Sequence, residues 1–231
     1  MSQKILYVVG AGPGSSDLLP VRAVKILQKS SLVFAAASST RDYSTCLEIA
    51  RPWLPENVRH VRLDFPMTAD KTKMSLAWQK AAAICLSELS VHESGVFLTL
   101  GDPLIYSTFI YLYRTLKEMD PDLGVHIVPG ITSFQAAAAI CHLPLCEAGE
   151  GIRIVSGTCG KTRLEEALNS KDRVIILKVY RNYKEILEAL RKSGRLGNAV
   201  LASQVEKPEE KIIWNLEDVS DQPHYMSLII A

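Results

Sequence analysis

The apolar run Val96-Phe97-Leu98-Thr99-Leu100, followed at once by Gly101-Asp102-Pro103, constrains this chain more than any other stretch. An unbroken apolar run bounded by a turn signal reads as a strand buried on both faces, which places it inside a parallel sheet. Pro103 removes a backbone donor and biases Asp102 toward extended backbone, so the strand stops there. Asp102 before Pro103 is the favoured N-cap and N1 pair for a following helix, with Ser107 or Thr108 as the other capping residues. The stretch is therefore a β-α unit, and in open α/β sheets ligands bind at the carboxyl ends of the strands. Tyr106 lies in this loop and is the expected ligand contact, while Tyr111 and Tyr113 are expected to pack.

The same design occurs twice more. A strand over Lys4–Val9 runs into Gly10-Ala11-Gly12-Pro13-Gly14. This is not a dinucleotide fingerprint: the third glycine of GxGxxG falls on Ser15, and the second strand, Leu32–Ala37, ends without a carboxylate for a ribose. The loop instead suits backbone contact with a flat ligand. A strand over Val125–Val128 enters Pro129-Gly130-Ile131-Thr132-Ser133 and then an alanine-rich helix, Phe134–Cys141. Backbone donors and the Thr132 and Ser133 hydroxyls there suit a carboxylate or an adenine edge. Periodicity predicts helices over Leu18–Lys29, Tyr43–Trp53, Asp70–Leu89 and Ile110–Met119, and an edge strand over Val58–Leu63. The apolar side of the long helix is expected to include Met74, Leu76, Ala81, Cys85 and Leu89, with Thr68 or Asp70 as its cap. Phe65-Pro66-Met67-Thr68 is either a wall against a large ligand or a loop packed on its own domain.

Beyond Ile140 the texture changes. Strands are expected at Ile152–Ser156, Val174–Val179, Ala199–Ser203, Lys211–Trp214 and His224–Ile230, with helices at Thr162–Asn169 and Asn182–Lys192. Late strands with short turns imply a mostly antiparallel, α+β arrangement. The expected architecture is an α/β domain over 1–129 and an α+β domain over 130–231, with a ligand cleft between them.

Composition bounds the function. A net charge of +1 on 231 residues leaves no electrostatic footprint for nucleic acid or an anionic membrane. Five cysteines without a CxxC pair suggest free thiols rather than a disulfide frame or a zinc site, so no protein-bound metal is expected. With no visible leader and no membrane-length apolar run, the expected location is the cytoplasm. No GxSxG, HExxH or Walker loop is present, and the histidines are dispersed. Glu147 and Glu150 are read as solvated. A reaction that needs orientation more than proton transfer fits this inventory. Methyl transfer from a sulfonium is such a reaction.

The chain resembles the tetrapyrrole methylases over nearly its whole length. The markers are Gly10–Gly14 with Leu18-Leu19, Gly101-Asp102-Pro103, and Val128-Pro129-Gly130-Ile131-Thr132-Ser133. Phe65–Thr68, Trp78, Thr99–Phe109, Pro129–Phe134 and Lys178–Asn182 are similar to the C20-methyltransferases of cobalamin synthesis. The resemblance implies two domains, one with a mainly parallel and one with a mixed or antiparallel sheet, and S-adenosylmethionine (SAM) in the cleft. It also implies a homodimer, a tetrapyrrole substrate, and S-adenosylhomocysteine as product. It assigns SAM contacts to Pro13, Leu100, Gly101, Asp102, Ile105, Thr132, Ser133, Val179 and Ala202. The acidic substrate needs cations, for which Arg41, Arg153, Lys178 and Arg181 are the candidates, and Tyr106 is the candidate for orienting the ring or the sulfonium. Relatives that methylate uroporphyrinogen carry an acidic residue near the position of Ala36, so no acid-base role is carried over there. Three alternatives stay open at this point: another ring position or acceptor, a dinucleotide-dependent oxidoreductase, and a non-catalytic tetrapyrrole-binding or carrier protein.

Overall fold

The computed structural model describes residues 4–37, 44–66, 68, 70–219 and 222–231. The chain divides into two compact units, Met1–Thr132 and Ser133–Ala231.

The first unit is built on five parallel strands: β1 (Ile5–Gly10), β2 (Leu32–Ala37), β3 (Arg59–Asp64), β4 (Ser94–Thr99) and β5 (Gly124–Val128), in the order β3-β2-β4-β1-β5. β4 is central, as its unbroken apolar run requires, and its side chains are buried on both faces. The alternation of each strand feeds two separate cores. Leu6, Val8, Phe34 and Phe97 point to one face and pack against α3 (Lys71–His92) and α4 (Phe109–Met119). Val9, Val33, Val96 and Leu98 point to the other and pack against α1 (Val21–Leu27) and α2 (Thr45–Ala50). Because all five strands are parallel, their carboxyl ends lie along one edge of the sheet.

Three local expectations are corrected, and one open alternative is decided. The helix expected over Leu18–Lys29 is split, with a 3-10 turn at Ser16–Leu18 and α1 starting only at Val21, after Pro20. Asp102 does not cap the helix after β4; α4 starts at Phe109, whose N–H is accepted by Ser107 Oγ at 3.1 Å. Leu76 of α3 is 60% exposed, and the buried stripe is Ala81, Ala82, Cys85 and Leu89. Phe65 belongs to the core, packed on Trp78 at 4.6 Å between ring centroids, which favours the loop packed on its own domain over a ligand wall. Asp70 does cap α3, its carboxylate accepting the N–H groups of Thr72 and Lys73.

The second unit contains α5 (Ser133–Ile140) and a mixed sheet of β6 (Ile152–Ser156), β7 (Arg173–Leu177), β8 (Val200–Ser203), β9 (Lys211–Ile213) and β10 (Ser227–Ile230). The order is β6-β7-β10-β8-β9; only β6 and β7 are parallel, and the other neighbours are antiparallel. One face carries α6 (Lys161–Leu168) and α7 (Tyr183–Lys192), whose Leu164, Leu168, Ile186 and Leu190 form a core with Val174, Ile176 and Ile229. Tyr183 sits in this core with its hydroxyl donating to the Leu216 carbonyl at 2.7 Å, and burial pushes its phenol up to about 12. Among the described residues, no helix is long and apolar enough to cross a membrane.

Candidate donor-binding site

Three neighbouring strands, β4, β1 and β5, deliver the three glycine loops to the carboxyl edge of the parallel sheet. After β1 and β4 the two chains stay paired for one more step. Ala11 N–H donates to the Thr99 carbonyl at 2.8 Å, and Gly101 N–H to the Gly12 carbonyl at 2.8 Å. The loops then meet at glycines for a steric reason. A Cβ on Gly10 would lie 2.5 Å from the Gly101 carbonyl oxygen and 2.6 Å from Gly130 N. A Cβ on Gly130 would lie 2.8 Å from Gly10 Cα. These contacts are backbone to backbone, so no side-chain rotation relieves them. Gly101 has φ +66° and open space where a Cβ would stand, so its backbone is bare toward a ligand.

Asp102 ties the third loop to the second. One carboxylate oxygen accepts from Leu104 N–H at 2.9 Å, folding its own loop, and the other accepts from Gly130 N–H at 3.1 Å. Behind it, Thr99 Oγ1 and Ser107 Oγ lie 3.0 Å apart in a buried pair that links the end of β4 to the start of α4. The stretch between carries Tyr106, 47% exposed and held at φ +50°. A non-glycine residue in that region costs of order 1–3 kcal/mol, and such strain clusters at ligand sites. Leu100 is exposed, Ile105 half-buried, and Pro13 and Thr132 buried. The edge therefore offers a pre-shaped, bare-backbone rim with small residues behind it and apolar side chains around it. The N–H groups of Gly101, Leu104 and Gly130 are already donated within the protein, so the rim presents backbone carbonyl oxygens and one carboxylate. That suits a neutral-to-cationic nucleoside better than a pyrophosphate, which would meet Asp102 and find only a 3-10 turn, not an α-helix, directly after the first glycine loop.

The second unit carries the remaining sequence candidates. Lys178 follows β7 in the left-handed region, at φ +59°, and Gln204 follows β8 at φ +51°. Lys178 is exposed, yet partial desolvation and the Arg181 charge hold its ammonium below the ordinary lysine range. Asn182 Nδ2 donates to the Gly157 carbonyl at 2.9 Å and Gly157 N–H to the Leu177 carbonyl at 2.6 Å, which fixes the loop after β6 beside Lys178. Arg181 is exposed, its guanidinium 5.4 Å from the centroid of the Tyr180 ring. Arg153 is paired with Asp172 at 2.5 Å, so its charge is already met. Val179 and Ala202 are fully buried, and Ser133, half-buried, opens α5. Glu147 and Glu150 are both exposed, the Glu150 carboxylate accepting from Glu147 N–H. Arg41 lies outside the described residues.

Sequence reasoning did not single out Gly10 or Gly130 as site residues. The signal for both is a glycine at a strand end: Gly10 closes β1, and Gly130 follows β5 after Pro129.

The family model for tetrapyrrole (corrin/porphyrin) methylases matches residues 5–220. The chain is 31% identical over 228 residues to a cobalt-precorrin-2 C(20)-methyltransferase of Salmonella typhimurium, covering 97% of this chain and 95% of that protein. It is 28% identical over 237 residues to a precorrin-2 C(20)-methyltransferase of Sinorhizobium, covering 98% and 94%. Among solved structures it is similar to cobalt precorrin-4 methyltransferase, with a TM-score of 0.76 at 21% identity, covering 99% and 94%. It is also similar to a uroporphyrin-III C-methyl transferase from Thermus thermophilus complexed with S-adenyl homocysteine, with a TM-score of 0.72 at 20% identity, covering 97% and 95%.

Proposed function

The chain belongs to the tetrapyrrole (corrin/porphyrin) methylases, and from that premise we propose that it methylates C20 of precorrin-2 or its cobalt-loaded counterpart, with SAM as donor, in cobalamin biosynthesis. The observation that carries this reading is the full-length similarity to proteins named for C20 methylation, on a chain whose three marker loops converge at one sheet edge.

SAM supplies an electrophilic methyl group on a sulfonium; the chain's own task is to hold and orient. The rim formed by Leu100, Gly101 and Asp102, with Pro13, Ile105 and Thr132, fits a nucleoside lying against bare backbone. The same reading gives Ser133, Val179 and Ala202 to the donor. Asp102 acts here as a clamp between loops and adds a negative charge beside a cationic donor. Tyr106, strained and exposed, orients the ring or the sulfonium. The electron-rich C20 of the reduced ring would form the new carbon–carbon bond as the carbon–sulfur bond breaks, S-adenosylhomocysteine leaving with the electron pair and the ring then losing its C20 proton to solvent. Lys178 and Arg181 meet substrate carboxylates. Arg153 does so only by releasing Asp172. Arg41 completes the set proposed from the resemblance. The same resemblance supports a cytoplasmic homodimer, which light scattering on the purified chain tests.

Mass spectrometry after incubation with SAM and either precorrin-2 or its cobalt-loaded form tests the function. One added methyl in at least one tube is expected, and the preferred tube identifies the substrate. No methyl in either tube, with SAM still bound, overturns the acceptor and leaves the family standing.

A further inference from the structure

A cavity of about 480 Å³ opens in the first unit beside Ser94, Gly95 and Val96, the amino end of β4. The donor loops leave the opposite end of the same strand, after Thr99. The cavity is walled by Tyr7 of β1 and by Arg22, Lys25 and Lys29 of α1 and its closing turn. No residue lining it is acidic.

Arg22 and Lys25 stand three residues apart on α1, and Lys29, just past its end, lines the same cavity, so three like charges face one space. Arg22 also stands in the first turn of α1, where the helix dipole disfavours a positive charge. None of the three takes part in an ion pair among the described residues. In a chain of net charge +1 this is a local excess of exposed positive charge. Tyr7 adds a second kind of recognition. Its ring stacks on His126 with centroids 5.6 Å apart, and Tyr7 lines the cavity. Ser94 contributes a hydroxyl. The volume falls in the range of small-molecule sites.

We propose that this cavity binds a nucleoside phosphate, with the base against Tyr7 and the phosphates on Arg22, Lys25 and Lys29, independently of the methyl donor. Calorimetric titration of ATP into the full chain, with and without saturating S-adenosylhomocysteine, tests it. ATP is expected to bind equally in both cases, with an affinity that falls as salt rises. Arg22→Gln, Lys25→Gln and Lys29→Gln combined is expected to weaken ATP by about tenfold or more. The same triple variant is expected to melt at the parent's temperature without ATP, because all three side chains are exposed, and this shows that it folds. Absence of ATP binding at millimolar concentration, unchanged affinity in the triple variant, or displacement by S-adenosylhomocysteine overturns the site. Inorganic tripolyphosphate binding as tightly as ATP overturns the assignment of a nucleoside.

Discussion

Two residue types set the donor site, glycine where strands converge and one carboxylate that links loops. Gly10→Ala places a methyl group 2.5 Å from the Gly101 carbonyl and 2.6 Å from Gly130 N, both backbone atoms. Overpacking of this kind costs about 1–3 kcal/mol, and the shift falls on the rim itself. The expected outcome is a lower denaturation midpoint together with at least tenfold weaker SAM binding by calorimetry. Asp102 supports a sharper test. Asp102→Asn keeps one acceptor oxygen, which can serve Leu104 N–H, but presents an NH₂ group to Gly130 N–H. The clamp is then lost while the loop's own turn survives. A charge-assisted hydrogen bond contributes about 1.5–3 kcal/mol, so SAM affinity is expected to fall roughly tenfold or more in Asp102→Asn, with α4 still folded by circular dichroism. Equal affinity in Asp102→Asn and the parent would exclude the clamp. Both glycines and Asp102 were visible in the sequence as strand-end punctuation. Their mutual contact was not, because Asp102 and Gly130 are brought together only by the placing of β4 and β5 on either side of β1.

Elements were legible where one force dominates. β2 spans the expected Leu32–Ala37, a short apolar run between polar neighbours, and β6 the expected Ile152–Ser156, where Ile152, Ile154 and Val155 are β-branched. Helix starts were less legible, because several side chains compete to cap the same turn. After β4, Pro103 made Asp102 the favoured cap, yet Ser107 takes that part and Asp102 is committed to Leu104 and Gly130. Leu76 was misplaced because Leu counts as apolar wherever it falls, whereas small Ala82 and Cys85 are what the close helix-on-sheet contact accepts. Asp70 was identified as one of two caps, and its two accepted N–H bonds give a stability test at this scale. Asp70→Ala is expected to cost about 1 kcal/mol, read from the urea midpoint at constant slope, and Asp70→Asn much less. A full-size loss in Asp70→Asn would mean that charge on the helix dipole, not the accepted bonds, supplies the effect.

At the scale of the first unit, the sheet separates two cores, and each encloses one thiol. Cys85 lies among Leu6, Phe34 and Leu89 on one face; Cys46 lies among Val33, Ile49 and Leu98 on the other. Composition predicted free thiols, but which of them are sealed depends on the alternation of all five strands and so on the whole sheet. Burial pushes Cys46 up to about 11, against a smaller opposing effect of the Ser44 hydroxyl, and pushes Cys85 up to about 12. Cys146 is exposed. At pH 8 a thiol reagent is therefore expected to modify Cys146 first and to reach Cys46 and Cys85 only on unfolding. The same shifts link stability to pH. Below the ordinary thiol value of 9.0 both states are protonated, and burial of these groups costs no charge. Above it the unfolded chain releases protons that the folded chain keeps until about 11 and about 12, so unfolding gains. Each thiol then removes about 1.4 kcal/mol of stability per pH unit across that window. Urea midpoints measured from pH 8 to 11 are expected to fall, and Cys46→Ala with Cys85→Ala to fall less steeply whatever its starting midpoint. Parallel slopes in parent and variant would show that other groups, such as Tyr183 in the second unit, carry the alkaline loss instead.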